Sequence, residues 1–212
     1  MKRRLSPWCR QLILILIISL PSSAIAVSIH GTVTFIKKPP LVGIAYVPAE
    51  QSSIADAEID QLDKQFTSKM VVIKPGDSVT FKNSDNVEHN VFANDVAQSA
   101  KFDVGLMPPG EEKQIVVDWK ENSIVRVGCK IHPKMRTYLA SIDTPYHKII
   151  EFENGKQQYS FTINNIPEGS EVLYFKVPKY DVVAIDITDS TSWTMDITKK
   201  NKIRGHVTID KK

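Results

Sequence analysis

Four side chains with soft or borderline-soft donor atoms stand out: His89, and then Cys129, His132 and Met135 inside the run Cys129-Lys130-Ile131-His132-Pro133-Lys134-Met135. A thiolate, an imidazole and a thioether in one short loop can close around a single ion. The earlier segment Glu88-His89-Asn90-Val91 offers a second imidazole. Cys and Met favour Cu(I) and imidazole tolerates Cu(II), so two His and one Cys in a trigonal arrangement with a long axial Met suit copper in both oxidation states. Such a site exchanges one electron. Zinc also accepts a Cys and two His, although structural zinc sites usually draw on more Cys and seldom on Met. Each residue alone has a plainer reading: a surface His on a strand, a Cys serving as a small apolar side chain, a Met filling the core. Their joint occurrence is the signal.

The compartment sharpens it. Lys2, Arg3, Arg4 and Arg10 precede the apolar run Leu12 to Leu20 and the small-residue end Ala24-Ile25-Ala26, the form of a secretory signal peptide over residues 1–26. The run is shorter than the ~20 apolar residues of a spanning helix, so no stable membrane span is expected after processing. The location expected is the periplasm. Cleavage after Ala26 removes four basic residues and no acidic one, leaving 23 Lys and Arg against 24 Asp and Glu. A net charge of −1 gives no reason to expect nucleic-acid binding. Cys9 leaves with the leader and does not sit at the cleavage site, so it does not read as a lipoprotein acceptor. Cys129 is then a lone thiol in an oxidising compartment, where an unengaged cysteine is liable to oxidation.

The elements that must position these residues read as β-strands. Alternation at Ile29, Val33 and Phe35 and at Val79 and Phe81 has period two. Short apolar runs follow at Met70 to Ile73, Val91 to Phe92, Ile115 to Trp119, Ile124 to Cys129 and Leu139 to Ile142, broken by Pro75-Gly76-Asp77, Asn83-Ser84-Asp85 and Pro108-Pro109-Gly110. That punctuation indicates an all-β sandwich or barrel. Ala49 to Phe66 differs, with Ile54, Ala55, Ile59 and Leu62 at roughly helical spacing, and reads as a loop with a short helix. A second unit begins near Thr144-Pro145, with strands at Phe161 to Ile163, Val172 to Val177, Val182 to Ile187 and Val207 to Ile209. The expected domains are 27–143, carrying the metal, and 144–212, a small β unit. The segments Ile29 to Thr34 and Ile203 to Thr208 look alike, over too few residues to establish a repeat.

The C-x2-H-x2-M loop with an upstream His-Asn-Val resembles that of the type-1 copper proteins, the cupredoxins, and its length resembles amicyanin's. Gln61 to Phe66, Val79 to Asp85, His89 to Phe92, Phe102 to Leu106 and Thr144-Pro145-Tyr146 resemble periplasmic methylamine-utilisation or plastocyanin-like proteins. The resemblance implies a Greek-key β-sandwich with one copper held by His89, Cys129, His132 and Met135. It implies that Asn90 ties the two ligand loops together and that His132 lies near the surface. It further implies redox partner proteins, such as a quinoprotein dehydrogenase as donor and a c-type cytochrome as acceptor. The part after Asp143 resembles a carboxypeptidase-regulatory or transthyretin-like sandwich, through Phe161 to Gly169.

The expected function is therefore electron carriage, without catalysis. Copper enzymes of related fold add a second centre using His next to the ligand Cys, whereas Lys130 follows Cys129 here, and no Gly-x-Ser-x-Gly, phosphate loop or His-Glu-x-x-His is present. Asp85 and Glu88, flanking His89, are expected to be solvated turn residues, Met107 to pack a loop, and His147 to lie on the surface. Copper storage or delivery, and an envelope-binding β protein with a structural copper, are the alternatives.

Overall fold

The computed structural model describes residues 27–49 and 57–212; the expected leader, Cys9, Ile54 and Ala55 lie outside the described residues. Apart from one 3-10 turn at Val96–Gln98, the regular elements described are strands. They form two sandwiches.

The first sandwich faces two sheets against each other. One has the order β4 (Gln65–Phe66), β3 (Ala57–Leu62), β6 (Ser78–Asn83), β9 (Glu112–Val116). The other has the order β5 (Val71–Ile73), β11 (Arg136–Ser141), β10 (Ser123–Gly128), β7 (His89–Asp95), β8 (Ala100–Met107). Alternate residues point inward, as strand geometry requires. Ile59, Val79 and Phe81 from one sheet meet Val91, Ala93, Val125, Val127 and Leu139 from the other in a single core.

The helix expected between Ala49 and Phe66 is absent from its described part, residues 57–66, where β3 and β4 form a hairpin. Ile59 and Leu62 mimic helical spacing. Parallel pairing of β3 with β6, from Ala57↔Val79 to Gln61↔Asn83, overrides it by burying Ile59 and Gln61 on one face and leaving Leu62 exposed. Asp63 and Lys64, at φ 52° and 54°, make the two-residue turn in the left-handed conformation that matches strand twist.

The second sandwich has one sheet in the order β13 (Gln158–Ile166), β1 (Val27–Phe35), β17 (Lys202–Lys211), β16 (Ser192–Lys199). The other runs β12 (His147–Glu151), β2 (Val42–Tyr46), β14 (Val172–Lys176), β15 (Val183–Asp186). The expected division at residue 143 therefore does not follow the sheets. β1 and β2, at the beginning of the described chain, are hydrogen-bonded between strands that all follow residue 146. The physical reason is strand supply: residues 144–212 contribute six strands, and β1 and β2 fill a place inside each of their two sheets. Residues 57–142 are thus inserted between β2 and β12. The two look-alike segments are neighbours in one sheet, with Phe35 opposite Gly205. A Cβ on Gly205 would sit 2.1 Å from the Thr34 carbonyl oxygen, which explains glycine there.

β2 joins the two sandwiches. All five of its residues are buried, and its continuous apolar run is the pattern of a strand covered on both faces. Ala45, with Val47 just beyond the strand, points into the second sandwich's core, whereas Val42, Ile44 and Tyr46 pack against Met70, Tyr138, Ala140 and Ile142 of the first. Each buried aliphatic side chain of this kind contributes about 1.5–3 kcal/mol, so this third cluster holds the units as one body. At its rim Tyr46 stacks on Tyr174 with ring centroids 5.3 Å apart. The Lys176 ammonium lies over both rings and donates to the Asn122 carbonyl oxygen at 2.5 Å.

Burial, with a smaller push from Lys120, lowers the Lys176 pKa to about 8, whereas burial, then Tyr174 and Glu121, raises that of the Tyr46 hydroxyl. A lysine whose pKa is depressed by folding binds its proton less tightly than in the unfolded chain. Its contribution to stability therefore increases as pH rises through the window between its folded and unfolded values. The raised Tyr46 acts oppositely, above its ordinary value near 10. The denaturation midpoint should accordingly rise between pH 8 and about 10, and Lys176→Met should abolish that rise. Denaturant titrations across this range check it; a rise persisting in the variant would place its origin elsewhere.

Candidate metal centre

Adjacency of β7 and β10 brings the distant segments together. Gly128, the last residue of β10, is paired with Phe92 of β7, so His89 at the start of β7 and Cys129 just beyond β10 share one end of the sheet. The seven residues from Cys129 to Met135 connect β10 to β11, and the Met135 amide donates to the His132 carbonyl oxygen at 2.9 Å, tightening the loop. A nitrogen from each of His89 and His132 and the Cys129 sulfur all lie within 4.8 Å of one another. His89, Cys129 and Met135 are buried and His132 is half-buried. Met135 packs in the same core cluster as Cys129.

The two imidazoles meet through their Nδ1 atoms at 3.0 Å. Nε2 of His89 lies 3.0 Å from the Asp85 carboxylate. A carboxylate can only accept, so Nε2 carries the proton and the Nδ1 lone pair points at His132 and the sulfur. A ring nitrogen so fixed by its opposite neighbour is the usual preparation of a histidine for a metal. Asp85 is itself held by the Lys64 and Asn86 amides, at 2.7 and 2.8 Å. The Lys64 amide, then the bond to His89, hold the Asp85 carboxyl down at about 2. Burial first, then His89 and Lys64, lower the pKa of His132, which favours the neutral ring that a ligand must be. The Asn90 amide donates to the Cys129 sulfur at 3.4 Å, the kind of contact that stabilises a thiolate. Soft sulfur, two aimed imidazole nitrogens and low water access together fit copper.

Asn90 ties the loops together as expected. Its Oδ1 accepts from the Lys130 amide at 3.3 Å, and its Nδ2 donates to Asp103 and to the Gly105 carbonyl oxygen at 2.7 and 2.8 Å. Asp103 also pairs with the Lys130 ammonium. Met107 packs at the end of β8 opposite His89, its sulfur accepting from Gln61 Nε2 at 3.7 Å. His30, His147 and His206 contact Thr162, the Thr144 carbonyl oxygen and Asp196, away from the cluster. Glu88 is exposed, but the expectation of a solvated Asp85 is corrected: it is buried and orients His89. The spacing Asp85-x3-His89 across the turn was the available signal; burial of the carboxylate beneath the Lys64 turn was not readable.

Residues 54–140 match the family model described as copper binding proteins, plastocyanin/azurin family, a span that includes His89, Cys129, His132 and Met135. This segment is accordingly similar to copper-binding, cupredoxin-type domains, and copper is the cofactor that the match implies. Similar solved structures include a purple cupredoxin from Nitrosopumilus maritimus, 22% identical over 41% of this chain and 99% of that one, with a TM-score of 0.36. Amicyanin from Paracoccus versutus is 21% identical over 46% of this chain and 96% of its own, with a TM-score of 0.36. A copper-containing nitrite reductase from Thermus scotoductus is 21% identical over 46% of this chain and 25% of its own, with a TM-score of 0.37. No curated protein matches the chain.

Asp85→Asn should lower Cu(II) affinity about tenfold, because loss of an outer partner weakens the hold on the ligand's orientation and basicity. Competition titration with a chelator measures this. Wild-type affinity in the variant would show that His89 is positioned without the carboxylate's charge.

Proposed function

We propose that the chain binds one copper ion through His89, Cys129, His132 and Met135 and carries single electrons between partner proteins in the periplasm. The observation that supports this most directly is the convergence of two imidazole nitrogens and a thiol sulfur within 4.8 Å at a buried sheet end. Bound copper would supply a one-electron couple between Cu(I) and Cu(II). The protein's part is to keep the donors fixed. His89 and Cys129 stand at the same end of neighbouring strands, Cys129 one residue beyond its strand, Asp85 sets the His89 tautomer, and Asn90 fixes the sulfur and the following Lys130 amide. Burial of Met135 and Cys129 limits water, and His132, the partly exposed member, offers the shortest approach to a partner. No catalytic step is assigned, since Lys130 stands where a histidine beside Cys129 would recruit a second copper. The resemblance to methylamine-utilisation proteins supports a quinoprotein dehydrogenase as donor and a c-type cytochrome as acceptor, and the leader-like residues 1–26 support export.

Copper-loaded protein should show an intense visible thiolate-to-copper absorption. Cys129→Ser should abolish it, while Met135→Gln should retain copper and colour but shift the reduction potential, since the axial ligand tunes it. Absorption spectra and voltammetry distinguish these outcomes. A colourless wild-type complex, or colour surviving Cys129→Ser, would overturn the assignment.

A further inference from the structure

The outer face of the five-stranded sheet is only partly covered. At the β11 side Tyr138 and Ala140 lie beneath the second sandwich, but toward β7 and β8 the face is open. Two depressions there share Phe92 and Asn94 and form one groove between the Cys129 loop and the second sandwich. Phe92 makes the apolar floor, and the residue across from it is Gly128, where a Cβ would lie 3.3 Å from the Phe92 ring. Lys101 from β8, Arg126 from β10 and Lys179 from the turn after β14 line the groove and are exposed. Among the described residues, these three cations have no side-chain hydrogen bond or ion pair. Lys130, also lining it, is already matched by Asp103, which leaves Asp95 as the unpaired carboxylate of the lining. The groove is therefore a local concentration of positive charge on a chain whose expected mature form is nearly neutral.

We propose that this groove docks an acidic segment of a partner protein, whose carboxylates meet Lys101, Arg126 and Lys179 over the Phe92 floor. Unpaired cations around an apolar floor attract an acidic surface at long range and give up no existing ion pair when it arrives. A duplex nucleic acid would call for cations strung along many phosphates, which one groove does not supply. The placement gives the contact a use. Gly128 and Lys130, the covalent neighbours of Cys129, both line the groove, so an occupant is seated beside the ligand cysteine as well as apart from His132. The inference rests on the groove's own charge and shape and stands whichever ion the site holds.

The test is binding, read by amide NMR on the purified full-length protein at low ionic strength. Paramagnetic hexacyanochromate(III) and decaglutamate are titrated separately into wild type, into Lys101→Glu/Arg126→Glu/Lys179→Glu, and into Lys37→Glu/Lys38→Glu/Lys202→Glu. The last makes the same net change at exposed positions outside the groove. Both probes should perturb amides around Phe92, Lys101, Arg126 and Lys179. Affinity should fall about tenfold or more in the groove variant and much less in the control. Equal losses in both variants, or perturbations scattered over exposed lysines, would overturn the proposal. Hexacyanochromate binding without decaglutamate binding would overturn the protein partner. Because neither readout depends on colour or potential, a failure here is separable from a failure of the copper assignment.

Discussion

The pairing of β7 with β10 is the constraint on which the metal centre depends. His89 and Cys129 stand forty positions apart in the chain, and only lateral adjacency of β7 and β10 brings them together. Strand spacing of about 4.8 Å is close to the separation that one ion can bridge, so two donors at the same end of neighbouring strands need little further adjustment. The loop to β11 then has a single task, to turn His132 and Met135 back toward the sheet end.

A polar network under and beside the donors converts proximity into orientation. Asp85 receives two backbone amides as well as the His89 ring, so its position is set by the β3–β4 turn and its own loop. Asn90 spends every polar group of its side chain on neighbouring elements and its amide on the sulfur. Asp103, bonded to Asn90, Gly105 and Lys130, extends the same network to the outer face. In a dry interior such contacts are strong when complete and costly when broken, which gives the ligand geometry its stiffness.

The insertion of one sandwich into another serves the same stiffness at larger scale. Both ends of the segment 57–142 leave from paired strands of the second sandwich, β2 and β12, which are hydrogen-bonded to each other from Val42↔Glu151 to Tyr46↔His147. The two points of attachment are thus held side by side, and Val42, Ile44 and Tyr46 press the same junction against β11. Removing everything after residue 143 would strip β1 and β2 of their partners.

The candidate donors were legible in the sequence because they are a matter of side-chain chemistry and short-range spacing: the Cys129 loop, the lone thiol and His89-Asn90 point to copper without a fold. The all-β class was legible from period-two alternation and turn residues. Strands without that signal were not, among them β2, whose apolar run reflects burial on both faces, the polar β16, and β3, whose spacing imitates a helix. Tertiary structure alone decided which sheet each strand joined, and so that β1 and β2 belong with residues after 146. It also decided that Asp85 is buried against His89, and that Lys101, Arg126 and Lys179 share one groove. The reason is common to all three: each rests on contacts between residues far apart in sequence, for Asp85 the Lys64 amide 21 positions earlier, fixed by strand order and register, about which local composition carries no information.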